Sequence, residues 1–150
     1  MKAFRIVHSK WANSLTASGY AARWNSSGFF VIYAAENCSL ACLENLVHRN
    51  GFGSTNDFSL LTINLPNILV IKQISLIDLP IGWNDSTEKG HMICREIGDQ
   101  WIRHQESLCL LVPSAIIEGE MNVLINPHHP DFNKVTFSAK DFSFDTRLLV

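Results

Sequence analysis

The sequence predicts an α+β domain in which a mixed β-sheet forms the core and a few helices flank it. Short apolar runs rich in β-branched residues recur along the 150 residues, as they do in β-strands. Two longer segments instead carry apolar residues at helical spacing. No Pro/Ser/Gly-rich linker, charge block or repeat divides the chain, so we expect one domain over residues 1–150.

The first elements in the chain are two predicted strands. One is expected at Ala3–Val7. The second, Phe29–Ala34, is a continuous apolar run that follows the turn signal of residues 25–28. Because such a run has both faces apolar, it is typical of a strand that is buried on both sides. The second strand is therefore expected at the centre of the sheet.

A helix is predicted after the central strand. Ser39 is a suitable N-cap residue, and the helix should continue to about His48. Asn50 and Gly51 follow, a pair that suits a left-handed C-terminal cap. This helix is the most strongly indicated of the chain.

The middle of the chain predicts a hairpin, a loop and a second helix. Strands are expected at Ser59–Leu65 and Ile68–Ser75, with Pro66-Asn67 as the turn between them. Residues Leu79–Gly90 are expected to form a loop. The segment Ile93–His104 has apolar residues four apart and predicts a helix.

The last part of the chain returns to β-structure. Compact apolar runs between turn signals predict four late strands there. Those strands are Ser107–Val112, Asn122–Ile125, Lys134–Ser138 and Thr146–Val150. Together with the earlier strands they complete the mixed sheet.

Charge limits the classes of partner. The formal net charge is −2, from 12 Lys and Arg against 14 Asp and Glu. Proteins that bind nucleic acid or membrane surfaces electrostatically carry a basic excess, so neither class is expected. The charged fraction of 17% is low for a globular domain. We therefore expect an apolar face that another chain covers, in a homodimer or a larger complex.

Cysteines, targeting signals and common motifs also narrow the choice. Cys38, Cys42, Cys94 and Cys109 lack C-x-x-C spacing and are expected to be reduced thiols, without a metal site. No apolar run is long enough for a signal peptide or a membrane span, so we expect a soluble, cytoplasmic protein. Nucleophile-elbow, P-loop and G-x-G-x-x-G motifs are missing from the sequence.

Two polar positions break the local pattern. In the first predicted helix, Glu44 falls within the apolar arc of Leu40 and Val47. A carboxylate there is either functional or a rim residue whose stem packs while its head reaches water. Arg23 precedes Trp24 near a strand and suits phosphate recognition. The alternative is a surface arginine stacked on the indole.

Other polar residues also have both a functional and a structural interpretation. Tyr33 ends a buried run and needs a partner for its hydroxyl. Ser114, at a strand end, either contacts a ligand or starts a turn, while Asn126 before a proline is typical of a turn. His128 and His129 could act as an acid/base pair or be structural residues of a Pro-flanked loop.

Taken in order, short motifs along the chain resemble those of RES-domain toxins. The motifs are Phe4-Arg5-Ile6, Arg23-Trp24-Asn25-x-x-Gly28, Val31-Ile32-Tyr33-Ala34-Ala35-Glu36, Leu43-Glu44-Asn45-Leu46-Val47-His48, Leu79-Pro80-x-Gly82-Trp83, Gly98-Asp99-x-Trp101, Val112-Pro113-Ser114-Ala115 and Asn122-x-Leu124-x-Asn126-Pro127-x-His129-Pro130-Asp131-Phe132. No single motif is unique to that family, but the ordered set is specific.

The resemblance implies an ADP-ribosyltransferase-like fold. It also implies a protein that acts on NAD as substrate and has no prosthetic group. The family's Arg, Glu and Ser fall on Arg23, Glu44 and Ser114, and its active-site tyrosine on Tyr33. We expect Arg23, Tyr33 and Glu44 to be catalytic. The residues expected to bind the substrate are Arg5, Trp24, Ser114 and Asn126.

Three functions remain open at this point. The resemblance implies either NAD depletion by glycohydrolysis or phosphorolysis, or ADP-ribosylation of a specific protein. An inactive module that only binds an antitoxin is the third alternative. Such toxins are typically paired with an Xre-like helix-turn-helix antitoxin that blocks the active site and represses the shared operon. The resemblance therefore implies that antitoxin as the partner and leaves DNA binding to it.

Overall fold

The computed structural model describes residues 1–49, 56–67 and 71–148, and a seven-stranded mixed sheet runs through this part of the chain. The strands are β1 (Lys2–His8), β2 (Ile32–Ala35), β3 (Phe58–Asn64), β4 (Ile71–Gln73), β5 (Cys109–Pro113), β6 (Met121–Ile125) and β7 (Thr136–Phe142). Their order is β4-β5-β6-β2-β1-β3-β7. Strand β4 runs parallel to β5, and the other neighbours are antiparallel. The predicted α+β class and the central position of β2 are confirmed.

Two α-helices accompany the sheet, α1 (Cys38–His48) and α2 (Glu88–His104). The N-cap expected at Ser39 is wrong, because the extended Asn37 fills that role and its side chain accepts from the Leu40 amide at 2.8 Å. Helix α2 begins five residues before the predicted Ile93. The cap expected at Asn50 and Gly51 lies outside the described residues. Short 3-10 turns occupy Ser9–Trp11, Leu76–Asp78, Pro130–Lys134 and Thr146–Leu148.

The predicted hairpin between the third and fourth strands is wrong. Strand β3 lies between β1 and β7, whereas β4 joins the far edge of the sheet beside β5. The turn signal at Pro66-Asn67 is local, and pairing with distant strands overrides it. Residues 68–70 of the expected fourth strand are outside the described part of the chain.

The strand expected at Thr146–Val150 is also wrong over its described residues. Thr146–Leu148 forms a 3-10 turn. The Asp145 carboxylate accepts from the Arg147 amide at 2.9 Å, so a local cap competes with strand pairing. Residues 149–150 are not among those described.

Both helices pack on the same face of the sheet. Alternate residues of the strands face them, as the period of two requires. Leu40 and Ala41 of α1 pack with Ile6 and Leu60 in one buried cluster. A second cluster joins α2 to β5 and β6, through Trp101, Cys94, Leu110, Val112 and Leu124. The opposite face has its own core, which includes Ala3, Ile32, Leu61 and Val123.

A segment of residues 20–26, here called the strap, crosses α2 before the chain enters β2. Its backbone closes on itself through a bridge between Ala22 and Asn25. A Cβ on Gly98 would lie 1.8 Å from the Trp24 carbonyl oxygen, so this contact requires glycine in α2. Asp99 accepts from the Ser26 amide at 2.9 Å. The strap is thus fixed to α2.

None of the described helices combines the length and apolar character that a membrane crossing requires.

Candidate active site

A cleft of about 590 Å³ opens on the helical face of the sheet, bordered by α1, α2 and the strap. A single bridge, Phe4 with Ala35, joins β1 to β2 within the described residues, and both strands line the cleft. The volume falls in the range of about 300 to 1,000 Å³ typical of small-molecule sites. The cleft is therefore the candidate active site.

Glu44 and Asn122 line one side of the cleft, with the buried Ser114 behind them, and these three residues are here called the acidic wall. Asn122 Nδ2 donates to Glu44 Oε1 at 2.5 Å, and Ser114 Oγ donates to the same oxygen at 3.3 Å. The Ser114 hydroxyl oxygen itself accepts from the amides of Ile116 and Ile117. Ser114 therefore both starts a turn and holds Glu44.

The second carboxylate oxygen of Glu44 has a different environment. Oε2 lies 3.8 Å from Nδ1 of His48, one helical turn further along α1. The Glu44 side chain is 21% exposed. Oε1 is thus the oxygen bonded by Asn122 and Ser114, whereas Oε2, among the described residues, faces His48.

Helix α1 fixes the position of this carboxylate. Glu44 follows the buried Leu40 and Ala41 by four and three residues, so it shares their face, as the periodicity predicts. Asn45 Nδ2 donates to the Ile6 carbonyl at 3.1 Å and ties the helix to β1. Glu44 lies where the buried face of α1 meets the cleft.

The other side of the cleft, here called the basic wall, consists of Arg23, His91 and Arg95. Arg23 Nη1 donates to the carbonyls of Trp83 at 2.9 Å and Asp85 at 3.1 Å. Arg95 Nε donates to the Ala22 carbonyl at 2.8 Å. Backbone carbonyls thus position both guanidinium groups, and Arg95 also forms an ion pair with Glu88.

The imidazole of His91 lies in this positive environment. Burial lowers its pKa, and the charges of Arg23 and Arg95 lower it further, whereas Glu88 acts in the opposite direction. These influences favour neutral imidazole over imidazolium. The basic wall therefore contains an imidazole whose protonated form is disfavoured.

Tyr33 anchors the strap from β2. Its hydroxyl donates to Asn25 Oδ1 at 2.7 Å and accepts from the Trp24 amide at 3.1 Å. Burial raises the pKa of Tyr33, so the phenol stays protonated at neutral pH. The two N–H groups of Asn25 Nδ2 are shared among three strap and loop carbonyls within hydrogen-bond distance, those of Tyr20, Ser26 and Phe29. The predicted need of Tyr33 for a hydroxyl partner is confirmed.

Trp24 is buried and lies beside Trp83, with ring centroids 6.1 Å apart. The alternative of a surface arginine stacked on this indole is therefore wrong. Arg5, on β1, donates from Nη1 to the Thr16 carbonyl at 2.9 Å, and burial lowers its pKa. Arg5, Arg23, Trp24, Tyr33 and Glu44 all line the cleft.

Among the expected site residues, Ser114 does not line the cleft itself but bonds to Glu44, and Asn126 is not brought to the cleft at all. Asn126 follows the far end of β6, and its side chain accepts from the His128 amide at 2.9 Å, as a turn residue does. His129 Nδ1 accepts from the Asp131 amide at 3.1 Å, while His128 lies edge-on to Phe30. The structural interpretation of both histidines is supported.

Three cleft residues were not singled out individually from the sequence. Asn122 opens a motif that the sequence did present, but its bond to Glu44 depends on β6 lying beside β2. His91 and Arg95 carry no local signal, since exposed helix faces are commonly charged. Their position in the cleft depends on how α2 packs under the strap.

A scan against protein-family models matches the RES domain over residues 2–147. "Toxin Res" of Photorhabdus laumondii is 37% identical, with 97% of this chain and 96% of the relative covered. "Toxin Res" of Yersinia enterocolitica is 35% identical, with 99% of both covered. The "Prs ADP-ribosylating toxin" of Sphingobium sp. is 35% identical, over 85% of this chain and 80% of the relative.

The fold has a match among solved structures. A chain in the crystal structure of the M. tuberculosis MbcT-MbcA toxin-antitoxin complex superposes with a TM-score of 0.72. The match covers 95% of this chain and 84% of that one, at 15% sequence identity. At that identity the likeness concerns the fold.

Proposed function

This chain belongs to the RES-domain family, and from that premise we propose that it is the toxin of a toxin-antitoxin pair that cleaves NAD at the nicotinamide-ribose bond. Loss of NAD would arrest growth. The toxin names of its relatives support this proposal. Action in the cytoplasm, where NAD is available, is part of it.

The observation that carries the proposal is the position of Glu44. One oxygen of its carboxylate is held by Asn122 and Ser114, and the other is left for a ligand. Cations line the same cleft. A carboxylate that is oriented in this way can stabilise positive charge that develops on a neighbouring sugar.

The chemistry follows from that arrangement. As the bond between ribose C1′ and the nicotinamide nitrogen breaks, its electron pair leaves with nicotinamide and positive charge develops on the ribose. Glu44 would stabilise this charge and bind the ribose hydroxyls. Water or phosphate then bonds to C1′, and the proton that it loses goes to solvent. Because the stabilisation is greatest in the transition state, it increases the rate.

The remaining site residues would bind and orient the substrate. Arg5 and Arg23 are proposed to contact the phosphates or the carboxamide side. Tyr33 would orient the nicotinamide ribose with its ring, since its hydroxyl is engaged by the strap. Trp24 would pack behind Tyr33, and Ser114 would act by holding Glu44. Asn126 is not part of this proposed site.

Product analysis tests the proposal. The purified chain is incubated with NAD, with and without phosphate, and the products are identified by chromatography and mass spectrometry. Free nicotinamide with ADP-ribose indicates hydrolysis, and nicotinamide with ADP-ribose 1-phosphate indicates phosphorolysis. Unchanged NAD, with the folded protein present at substrate-like concentration, would overturn the proposal.

Transfer of ADP-ribose to a protein is the second candidate, and a relative named as an ADP-ribosylating toxin favours it. It needs the same site and an acceptor surface in addition. A labelled protein band from labelled NAD in cell extract would indicate transfer. An inactive antitoxin-binding module, by contrast, predicts growth arrest that Glu44→Ala does not relieve.

We also propose an Xre-like antitoxin and a second toxin copy as partners. A solved structure of the same fold comes from a toxin-antitoxin complex. Large apolar side chains are exposed at Ile77, in the turn Leu76–Asp78, and at Met92 in α2, at 91% and 63%. Light scattering of the purified chain should give twice its 16.9 kDa mass. A monomer would overturn the homodimer.

A further inference from the structure

The basic wall carries more positive charge than the proposed chemistry at the ribose requires. Arg23 comes from the strap, whereas His91 and Arg95 are four residues apart on α2 and share one of its faces. All three line the cleft. Glu88 offsets part of this charge through its ion pair with Arg95 at 2.7 Å. A net positive surface remains within the cleft.

Both arginines retain hydrogen-bond donors for a ligand. Arg23 uses Nη1 for two loop carbonyls and contacts the Cys94 thiol. Arg95 uses Nε for the Ala22 carbonyl and Nη1 for Glu88. A guanidinium group has further N–H donors beyond these, in a planar fork that matches phosphate oxygens. The backbone contacts fix the two forks in advance of binding.

His91 completes this group of donors. Its backbone amide donates to the carbonyl of Thr87, the N-cap of α2, so its place on the helix does not depend on the imidazole. The charged groups that act on the imidazole are Arg23, Arg95 and Glu88. With two cations against one carboxylate, an arriving anion would be attracted to this position.

We propose that His91 and Arg95 bind the diphosphate group of the dinucleotide together with Arg23, so that α2 supplies a phosphate site opposite in charge to Glu44. This inference rests on the proposed function, because it assigns the diphosphate of the same substrate. On this proposal the two walls bind different parts of the dinucleotide. The acidic wall acts on the nicotinamide ribose, and the basic wall anchors the diphosphate.

Proton uptake follows from this assignment. In the empty cleft, burial and the two arginines lower the pKa of His91. A doubly negative diphosphate reverses the local potential and raises that pKa, which favours imidazolium with two N–H donors. Binding near neutral pH should therefore take up a fraction of a proton.

Titration calorimetry with ADP-ribose tests this proposal. Its diphosphate does not titrate near neutral pH, and it lacks the bond that the protein is proposed to break. Wild type and His91→Gln are compared in two phosphate-free buffers of different ionisation enthalpy. His104→Gln, at the other end of α2, is the matched control. Arg95→Gln tests the second proposed diphosphate-binding residue in the same assay.

The expected results are specific to the diphosphate. The affinity for ADP-ribose should fall about 10-fold in His91→Gln and at least as much in Arg95→Gln, as for loss of a charge-assisted hydrogen bond. Proton uptake should disappear in His91→Gln and persist in His104→Gln. Proton uptake reports on His91 itself and would not respond to a purely structural role.

Two results would overturn the inference, and they can be told apart. If His91→Gln binds ADP-ribose with wild-type affinity and wild-type proton uptake, the phosphate site is wrong and the proposed function stands. If ADP-ribose injected into the folded wild type gives no more heat than when injected into buffer, and NAD stays intact, the proposed function fails. The inference then fails with it.

Discussion

The two walls of the cleft are built in different ways. In the acidic wall, side chains bond to one another, and Asn122 and Ser114 hold the carboxylate of Glu44. In the basic wall, backbone carbonyls of the strap and a nearby loop hold Arg23 and Arg95, and Glu88 also pairs with Arg95. Side-chain bonds orient one oxygen of the carboxylate, whereas carbonyl bonds position cations that stay available for anions.

The two walls are therefore sensitive to different substitutions. The acidic wall depends on the identity of a few side chains on α1 and β6 and on Ser114 just after β5. The basic wall depends on the path of the strap, which Gly98 allows to approach α2 closely. A substitution far from the ligand can therefore disturb the basic wall, while the acidic wall is disturbed by changes within it.

Glu44→Gln should give the largest effect on activity. The amide keeps the shape of the side chain but loses the charge that stabilises the ribose, so the kcat for nicotinamide release should fall about 100- to 1,000-fold. The thermal unfolding midpoint should stay close to wild type. Glu118→Gln, at an exposed turn, is the control and should retain full activity. Equal activity of the two variants would contradict the role of Glu44.

Gly98→Ala should break the basic wall through the strap. The added Cβ would meet the Trp24 carbonyl oxygen, so the strap must shift or the helix must move. Overpacking of this kind should lower the free energy of unfolding by about 3 kcal/mol. Glu96→Ala, on the exposed face of α2, is the control. Urea unfolding measures both variants, and equal midpoints would contradict the close contact.

Asn122→Ala should weaken the acidic wall and reduce the turnover rate. Glu44 would keep its bond to Ser114 but lose the shorter bond to Asn122. We expect kcat to fall about 10-fold, with KM nearly unchanged, since the diphosphate contacts remain. Asn13→Ala, at an exposed position, serves as the control. A change in KM alone would assign Asn122 to ground-state binding instead.

His91 should give the smallest effect, on the pH dependence of stability. Its pKa in the folded protein is lowered from 6.5 by burial and the two arginines, so below that pH the unfolded chain binds more protons. Stability should therefore fall as the pH falls through this window. His91→Gln should reduce the loss of unfolding midpoint between about pH 7.5 and pH 5.5. If the unfolding midpoint falls by the same amount in wild type and in His91→Gln, the lowered pKa of His91 is contradicted.

Local patterns in the sequence predict much of the fold. The apolar run before residue 36 predicts β2 and its central position, and the helical periodicity predicts α1 with Glu44 on its buried face. Both signals depend on neighbours within a few residues. The order of the strands does not, which explains why the expected hairpin after β3 is wrong. The true partner of β4 lies nearly forty residues away, at β5.

The candidate site divides in the same way. Arg23, Tyr33, Glu44 and Ser114 are carried by ordered motifs and lie in or beside the cleft. Asn126 shares a motif with Asn122 but lies four positions further along, just beyond the end of β6, and only Asn122 is at the cleft end. His91 and Arg95 become part of the site because Gly98 and Asp99 bring the strap onto α2. No local pattern reports such a contact.

The central claim is that one NAD molecule spans the two walls, and a crystal structure of Glu44→Gln with intact NAD tests it most directly. The nicotinamide ribose should lie within hydrogen-bond distance of the substituted side chain, and the diphosphate should lie against Arg23, His91 and Arg95. The same crystals soaked with ADP-ribose should show the diphosphate unchanged. NAD bound with its diphosphate away from α2, or with its nicotinamide ribose away from α1, would contradict the account.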